Sequence, residues 1–415
     1  MSEEAAPPKR GAKRRRRRHI ITVSLIVLLV VLLTAGALVA ILTQPLQAAT
    51  LAPDQRVLVT RGAAPAVHWP IEGQGAYAIS SLGVQAHSPE ETPIPIGSLA
   101  KMMTALVVLN DHPLAAAEDG PSVTITAQDV AGFANDLATD QSNLKVVTGE
   151  VLTERQLLEG LLIHSANDVA DVLAVFDAGS LSAFAAKMNA SATFLGMDQT
   201  TYTDPAGFDP ATVSTAADQL VVANTAMQVP TFAQLVSMPS VSLPVAGTVG
   251  SYTPLVGTNG VIGVKSGLTT EAGGCDVMAT TRTVGSHQVL VLSAVLGQRT
   301  AANRLAAAGE AALSINQAVS RGIVAVHAVT AERPATSVGW RSQRVGLVTG
   351  RSIIVPSWPG QTVSLSSHLT RPIMSAVAGG QRVGNISVRS GAFEELGALS
   401  TARRLPEPSI FERLG

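Results

Sequence analysis

Residues 93–109 read PIPIGSLAKMMTALVVL. Two prolines and a glycine precede Ser98, and Asn110-Asp111-His112-Pro113 follows Leu109. Prolines before an apolar run and a breaker after it fix a helix that opens at Ser98 and stops near Asn110. In that register Ser98 and Lys101 are i and i+3 on one face, so the Lys101 amine reaches the Ser98 hydroxyl. A serine hydroxyl is a weak nucleophile until a base takes its proton. A lysine is that base only while its amine is neutral, which burial and a neighbouring cation both favour. The first turn of such a helix also offers unpaired N–H groups and a positive dipole end for a developing oxyanion.

Two further short motifs follow in order, Ser165-Ala166-Asn167 and Lys265-Ser266-Gly267. Each is weak alone, because Ser142-Asn143-Leu144-Lys145 repeats the first spacing and Ser314-Ile315-Asn316 the second. Context separates them. Ser142 precedes no helix-like run and reads as surface loop. Lysine usage adds weight: the chain has six lysines, two of them in the N-terminal tail, and Lys101 and Lys265 both fall in motifs with apolar flanks. Arginine, used elsewhere in the body, cannot lose its proton and could not replace a lysine base. Lys265 is the residue expected to supply the neighbouring cation.

Outward from these motifs the chain divides by texture. Residues 76–319 mix strands, at Gly75 to Ser80 and Val289 to Leu296, with helices. Thr153 with Gln156 forms a capping-box pattern, Thr215 caps another helix, and a last helix is expected from about Ala301 to Val319. From about residue 322 the helical period fades. Alternating runs appear at Val345–Thr349, Ser352–Val355, Thr362–Leu365 and Val383–Val388, separated by Gly and Pro turns. The fold class is α+β: an antiparallel sheet with helices packed on it, then a small β-rich domain at 320–415. Residues 43–75 read as a stalk leading into a first strand.

Residues 1–19 form a basic tail, and Ile20 to Leu42 run without a charge. About 20 helical residues cross a hydrocarbon core of about 30 Å. A cleaved signal would have a shorter apolar region and an A-x-A site; Leu46-Gln47-Ala48 matches poorly, so the run reads as a retained transmembrane helix. Arg14 to Arg18 put the N-terminus in the cytoplasm and the body outside the plasma membrane. The tail, residues 1–18, holds eight of the 29 basic and two of the 30 acidic residues. The remainder is thus mildly acidic and, with 3% aromatics, is no nucleic-acid binder. The lone cysteine, Cys275, cannot make an internal disulfide and reads as a buried, inert thiol.

At its motifs the sequence resembles the serine D-Ala-D-Ala carboxypeptidases, the low-molecular-weight penicillin-binding proteins of peptidase family S11, in their actinobacterial form. The likeness extends to LTERQLLEGLLIHSANDVADVLA (152–174), TYTDPAGFDPATVSTAADQL (201–220) and NGVIGVKSGLTTEAGGCDVMATT (259–281), with a weaker echo in GGQRVGNISV (379–388). It implies a β-lactamase/transpeptidase-like catalytic domain working on peptidoglycan stem peptides ending in D-Ala-D-Ala and binding β-lactam antibiotics. Ser98 would be acylated, Lys101 would be its base, and Ser165 would relay a proton to the leaving D-alanine. Asn167 would hold a substrate carbonyl, and Lys265 and Ser266 the terminal carboxylate. Gly267 would let substrate approach the strand edge. The N–H groups of Ser98 and Leu268 would form the oxyanion hole. The third motif carries Ser266 where Thr is commoner, which keeps the hydroxyl. Two alternatives stay open: a class A-like β-lactamase, against which no E-x-x-L-N pattern follows Asn167, and an inactive wall-binding or penicillin-sensing protein. The eight histidines show no metal-ligand spacing, so neither metal nor cofactor is expected.

Overall fold

The computed structural model describes residues 10–44, 47–52 and 55–409. The first nine residues of the basic tail lie outside them. The apolar run is a helix, Arg10–Thr43, long and apolar enough to cross a membrane.

The third motif, Lys265-Ser266-Gly267, lies on a five-stranded antiparallel sheet. Its order is Val261–Thr269, Gly273–Val284, His287–Gln298, Gln74–Ile79, Val84–His87. The central strands are near-continuous apolar runs because both faces are covered. The helix Arg304–Gly322 lies on one face, where Ala308, Ala312, Ile315 and Val319 pack on Met278, Val291 and Val295. The other face meets the helical group around Lys101–Asp111. Residues 101–109 of that helix are all buried, and apart from Lys101 and Thr104 they are apolar. It ends at His112, whose following proline disfavours helical backbone. Thr153–Gln156 is a capping box and Thr215 caps Ala216–Ala226.

Beyond Gly322 every element is a strand among the described residues. A seven-stranded sheet runs Thr50–Leu51, Pro334–Gly339, Arg344–Val348, Phe393–Thr401, Arg382–Ser390, Thr362–Leu369, Gln55–Val59. Its two edge strands come from the stretch expected to be a stalk. They are separated by three residues, so the sheet curls until its edges lie within reach of so short a link. A two-stranded ribbon, Val324–Val329 with Ile353–Ser357, joins the two sheets. Trp358 is buried in the core shared with Val319 and Ile323, and a Cβ on Gly322 would stand 2.6 Å from its ring. Gln361 Nε2 donates to Leu82 O across the same seam.

Candidate active site

Ser98 sits in a 3-10 turn, Gly97–Ala100, that feeds directly into Lys101–Asp111. The i+3 geometry holds: Lys101 Nζ lies 2.9 Å from Ser98 Oγ. Lys101 Nζ also donates to Asn167 Oδ1 at 2.6 Å and to Ala206 O at 2.9 Å. A neutral amine has two N–H bonds and one lone pair. The two carbonyl acceptors take the N–H bonds, which leaves the lone pair for the Ser98 hydroxyl proton. Burial pushes the Lys101 amine down to about 7, against the pull of Asp204, Asp171, Asp136 and Asp168. Of the two causes offered by the sequence, burial and a neighbouring cation, burial is the leading one.

Ser165 joins helices Glu154–Leu162 and Asn167–Ala178 in a left-handed conformation, φ 63°, uncommon for a residue with a side chain. Its hydroxyl accepts from Lys265 Nζ at 2.9 Å. Lys265 also donates to Ser266 O and is fully buried. Burial and then the nearby Lys101 hold its amine well below the ordinary range, while Asp276 opposes them. Ser266 Oγ donates to Tyr252 O at 2.9 Å. Asn167 Nδ2 donates to Gln141 Oε1 at 2.6 Å.

Gly267 has a sharper reason than an open strand edge. A Cβ there would stand 2.7 Å from Ile96 O and 2.9 Å from Ser98 N. A Cβ on Gly97, whose φ is +56°, would stand 3.2 Å from Leu268 N. The Val261–Thr269 strand and the Ser98 turn thus meet backbone to backbone. Ser98 N and Leu268 N both lie at this junction. Val261–Thr269 is the sheet's edge strand, and it forms one wall of a cleft of about 560 Å³. Ser98, Ser165, Asn167, Ser266, Gly267 and Leu268 all line that cleft.

The structure adds residues that the motifs did not announce. The 139–145 loop, read as bland surface, forms the opposite wall through Gln141 and Ser142. Asn167 N donates to Ser142 O, and Leu144 N to Asp168 Oδ1, so the second motif bolts this loop in place. The partners of Lys101 Nζ are Ser98, Asn167 and Ala206 rather than Ser142, and Lys145 is exposed. Asn316 of the other repeated motif is structural, bonded to Thr280 and Val291 in the core. Asp204 accepts from Phe208 N and Thr212 Oγ1, a turn former that also presents Ala206 O to Lys101. Tyr252 stacks on His164 with centroids 4.9 Å apart at the cleft rim. Asp276, cross-strand partner of Ser266, is fully buried. Cys275 is buried too, and desolvation pushes its thiol up to about 12.

A family model described as D-alanyl-D-alanine carboxypeptidase, Peptidase_S11, matches residues 83–300. D-alanyl-D-alanine carboxypeptidase DacB2 of Mycobacterium tuberculosis is 38% identical over 153 residues, 36% of this chain and 48% of the relative. The chain thus spans about half the length of that relative. The D-alanyl-D-alanine carboxypeptidase of Streptomyces sp. strain K15 is 31% identical over 268 residues, 60% of this chain and 85% of the relative. The crystal structure of the Streptomyces K15 DD-transpeptidase superposes with a TM-score of 0.52 at 28% identity, covering 63% of this chain and 99% of that one.

Proposed function

The chain belongs to peptidase family S11, the D-alanyl-D-alanine carboxypeptidases, and from that membership we propose that it is a serine DD-carboxypeptidase. Its substrates are peptidoglycan stem peptides ending in D-Ala-D-Ala, and it is acylated by β-lactam antibiotics. The observation that carries this reading is the buried Lys101 amine, 2.9 Å from Ser98 Oγ with both its N–H bonds committed elsewhere.

Substrate enters the cleft as an added strand beside Val261–Thr269, with Asn167 and Gln141 on the facing wall. Lys101 takes the Ser98 proton as Oγ attacks the carbonyl of the penultimate D-alanine. The oxyanion rests on the N–H groups of Ser98 and Leu268. Lys101 gives that proton up through Ser165, whose hydroxyl Lys265 holds at 2.9 Å, to the leaving amine, and is neutral again. The terminal carboxylate is held at Lys265 and Ser266. Water then attacks the acyl-Ser98 ester, its proton returning to Lys101 and on to the serine. Asp140 and Glu271 line the cleft, yet neither bonds Ser98 or Lys101, which favours slow release of a penicilloyl group over β-lactamase turnover.

Residues 76–319 carry the chemistry, and 320–415, with the strands at 50–59, form a spacer. The helix at Arg10–Thr43 anchors the chain in the plasma membrane, with the arginines at 14–18 inside and the catalytic body outside. The test is product analysis with a pentapeptide wall precursor. Free D-alanine without cross-linked dimer is expected. Cross-linked dimer as the main product would make the chain a transpeptidase, and no acylation at all would make it an inactive binder.

A further inference from the structure

The seven-stranded sheet segregates its charges. Ladder pairings show which residues share an end. Thr50 pairs with Gly339 and Gly339 with Arg344, while Ala49 bridges Ile373 and Val377 bridges Leu405. These contacts gather the 340–343 turn, residues 371–378, residues 402–406 and the chain arriving at Ala49. That end exposes Arg341, Arg371, Arg403 and Arg404. Arg371, Arg403 and Arg404 form no ion pair among the described residues, and Glu407 is the acidic residue nearby in sequence. The opposite end, at the Phe393 turn, carries Glu394 and Glu395, paired with Arg389, Arg351 and His287.

The arginine end is also the end tied to the apolar helix. The uncharged run stops at Leu42, and Gln47 O accepts the Trp340 indole N–H at 3.0 Å. Five residues span at most about 18 Å. The interfacial layer of a bilayer takes up about 5–8 Å of that distance. The arginines are therefore tethered within reach of the surface field of an anionic leaflet, which decays over about 8–10 Å.

We propose that this arginine end docks on the anionic phospholipid headgroups of the membrane that holds the anchor, standing the sheet on the bilayer. The inference rests on the anchored reading above. The attraction of one arginine near such a surface amounts to about fivefold in the docked-to-undocked ratio, so removing three weakens docking on the order of a hundredfold.

The test uses the full chain in vesicles of phosphatidylcholine alone or with added phosphatidylglycerol. A fluorophore is placed on Met374→Cys, exposed beside the arginines, while the native Cys275 is buried and escapes labelling. Energy transfer to a headgroup-labelled acceptor should be higher with phosphatidylglycerol and fall to the phosphatidylcholine level at high salt. The triple variant Arg371→Gln, Arg403→Gln, Arg404→Gln should lose that gain while keeping penicillin acylation at Ser98. Equal transfer in both vesicle types, or an unchanged triple variant, overturns the proposal. So does a response to soluble poly(glycerol phosphate) with none to phosphatidylglycerol, which assigns the arginines to a wall polymer. Release of the chain from both vesicle types by alkaline carbonate would instead sink the anchored reading itself.

Discussion

Replacing Lys101 by methionine removes a titratable atom from the centre of the site while keeping an unbranched side chain. Burial holds the Lys101 amine at about 7 against an ordinary 10.5. At pH 7 about half of the molecules carry it neutral, where an unperturbed lysine would be neutral in about one in 3,000. At about 1.4 kcal/mol per pH unit, the shift is worth about 5 kcal/mol. Between pH 7 and 10.5 the unfolded chain binds more protons than the folded one. The stability this group contributes is therefore complete above its unfolded pKa and is lost as pH falls toward the folded value. The methionine variant lacks that dependence. Its stability relative to the parent should move by about 5 kcal/mol in favour of methionine as pH drops from about 10.5 to below 7. A constant penalty sits beneath, since Asn167 Oδ1 and Ala206 O lose their donor at about 1–3 kcal/mol each. Urea unfolding of both proteins across pH measures the difference, and acylation by a labelled penicillin should be absent in the variant. A stability difference that stays constant with pH would refute the buried-amine account.

Lys101→Arg should acylate nearly as poorly as Lys101→Ala, since guanidinium cannot serve as a base; recovery of most of the rate in a stopped-flow assay would move the base elsewhere. Ser98→Ala should abolish fluorescent-penicillin labelling while Ser142→Ala keeps it, and label on the Ser98 variant would end that assignment. In Gly267→Ala the new methyl presses on Ile96 O and Ser98 N, so kcat/KM should fall about a hundredfold or more with the fold retained by circular dichroism. Trp358→Ala should cost about 3–5 kcal/mol in unfolding experiments and leave the acylation rate of folded protein unchanged, because Trp358 seals the seam between the sheets, far from the cleft.

What the sequence made legible was what local geometry decides. The Ser98–Lys101 pair is an i, i+3 relation, and proline and breaker positions set its register. Strand runs such as Val289–Leu296 and Val383–Val388 were visible because burial on both faces, or alternation on one, writes itself into the chain. Contacts between distant loops left no such trace. Gln141 joins Asn167 only because the loop preceding Leu144 is hung on Asp168, and nothing in the run Asp140-Gln141-Ser142 distinguishes it from solvent-facing loop. Ala206 contributes a backbone carbonyl, which any residue could supply. Asp276 did leave a signal, a carboxylate inside the apolar run Cys275–Ala279, whose meaning needed the neighbouring strand. The strands at Thr50 and Gln55 were hidden for the same reason, since a short run shows its strand character only beside a partner, which for Thr50 is 289 residues away.

Those two strands change what proteolysis can do to the protein. The link from Thr60 to Gly73 is largely exposed and carries no helix or strand, so it is the natural place for a protease to cut. A cut there would sever the peptide chain between the apolar helix and the catalytic body. It would not part them. Residues 50–59 would remain as two strands on opposite edges of the sheet, bonded to Pro334–Gly339 and Thr362–Leu369. On the anchored reading, a nicked molecule should therefore run as two fragments under denaturing electrophoresis and still sediment with membranes as one particle. Shedding of the body would demand a cut between Leu42 and Ala49, before the first strand begins.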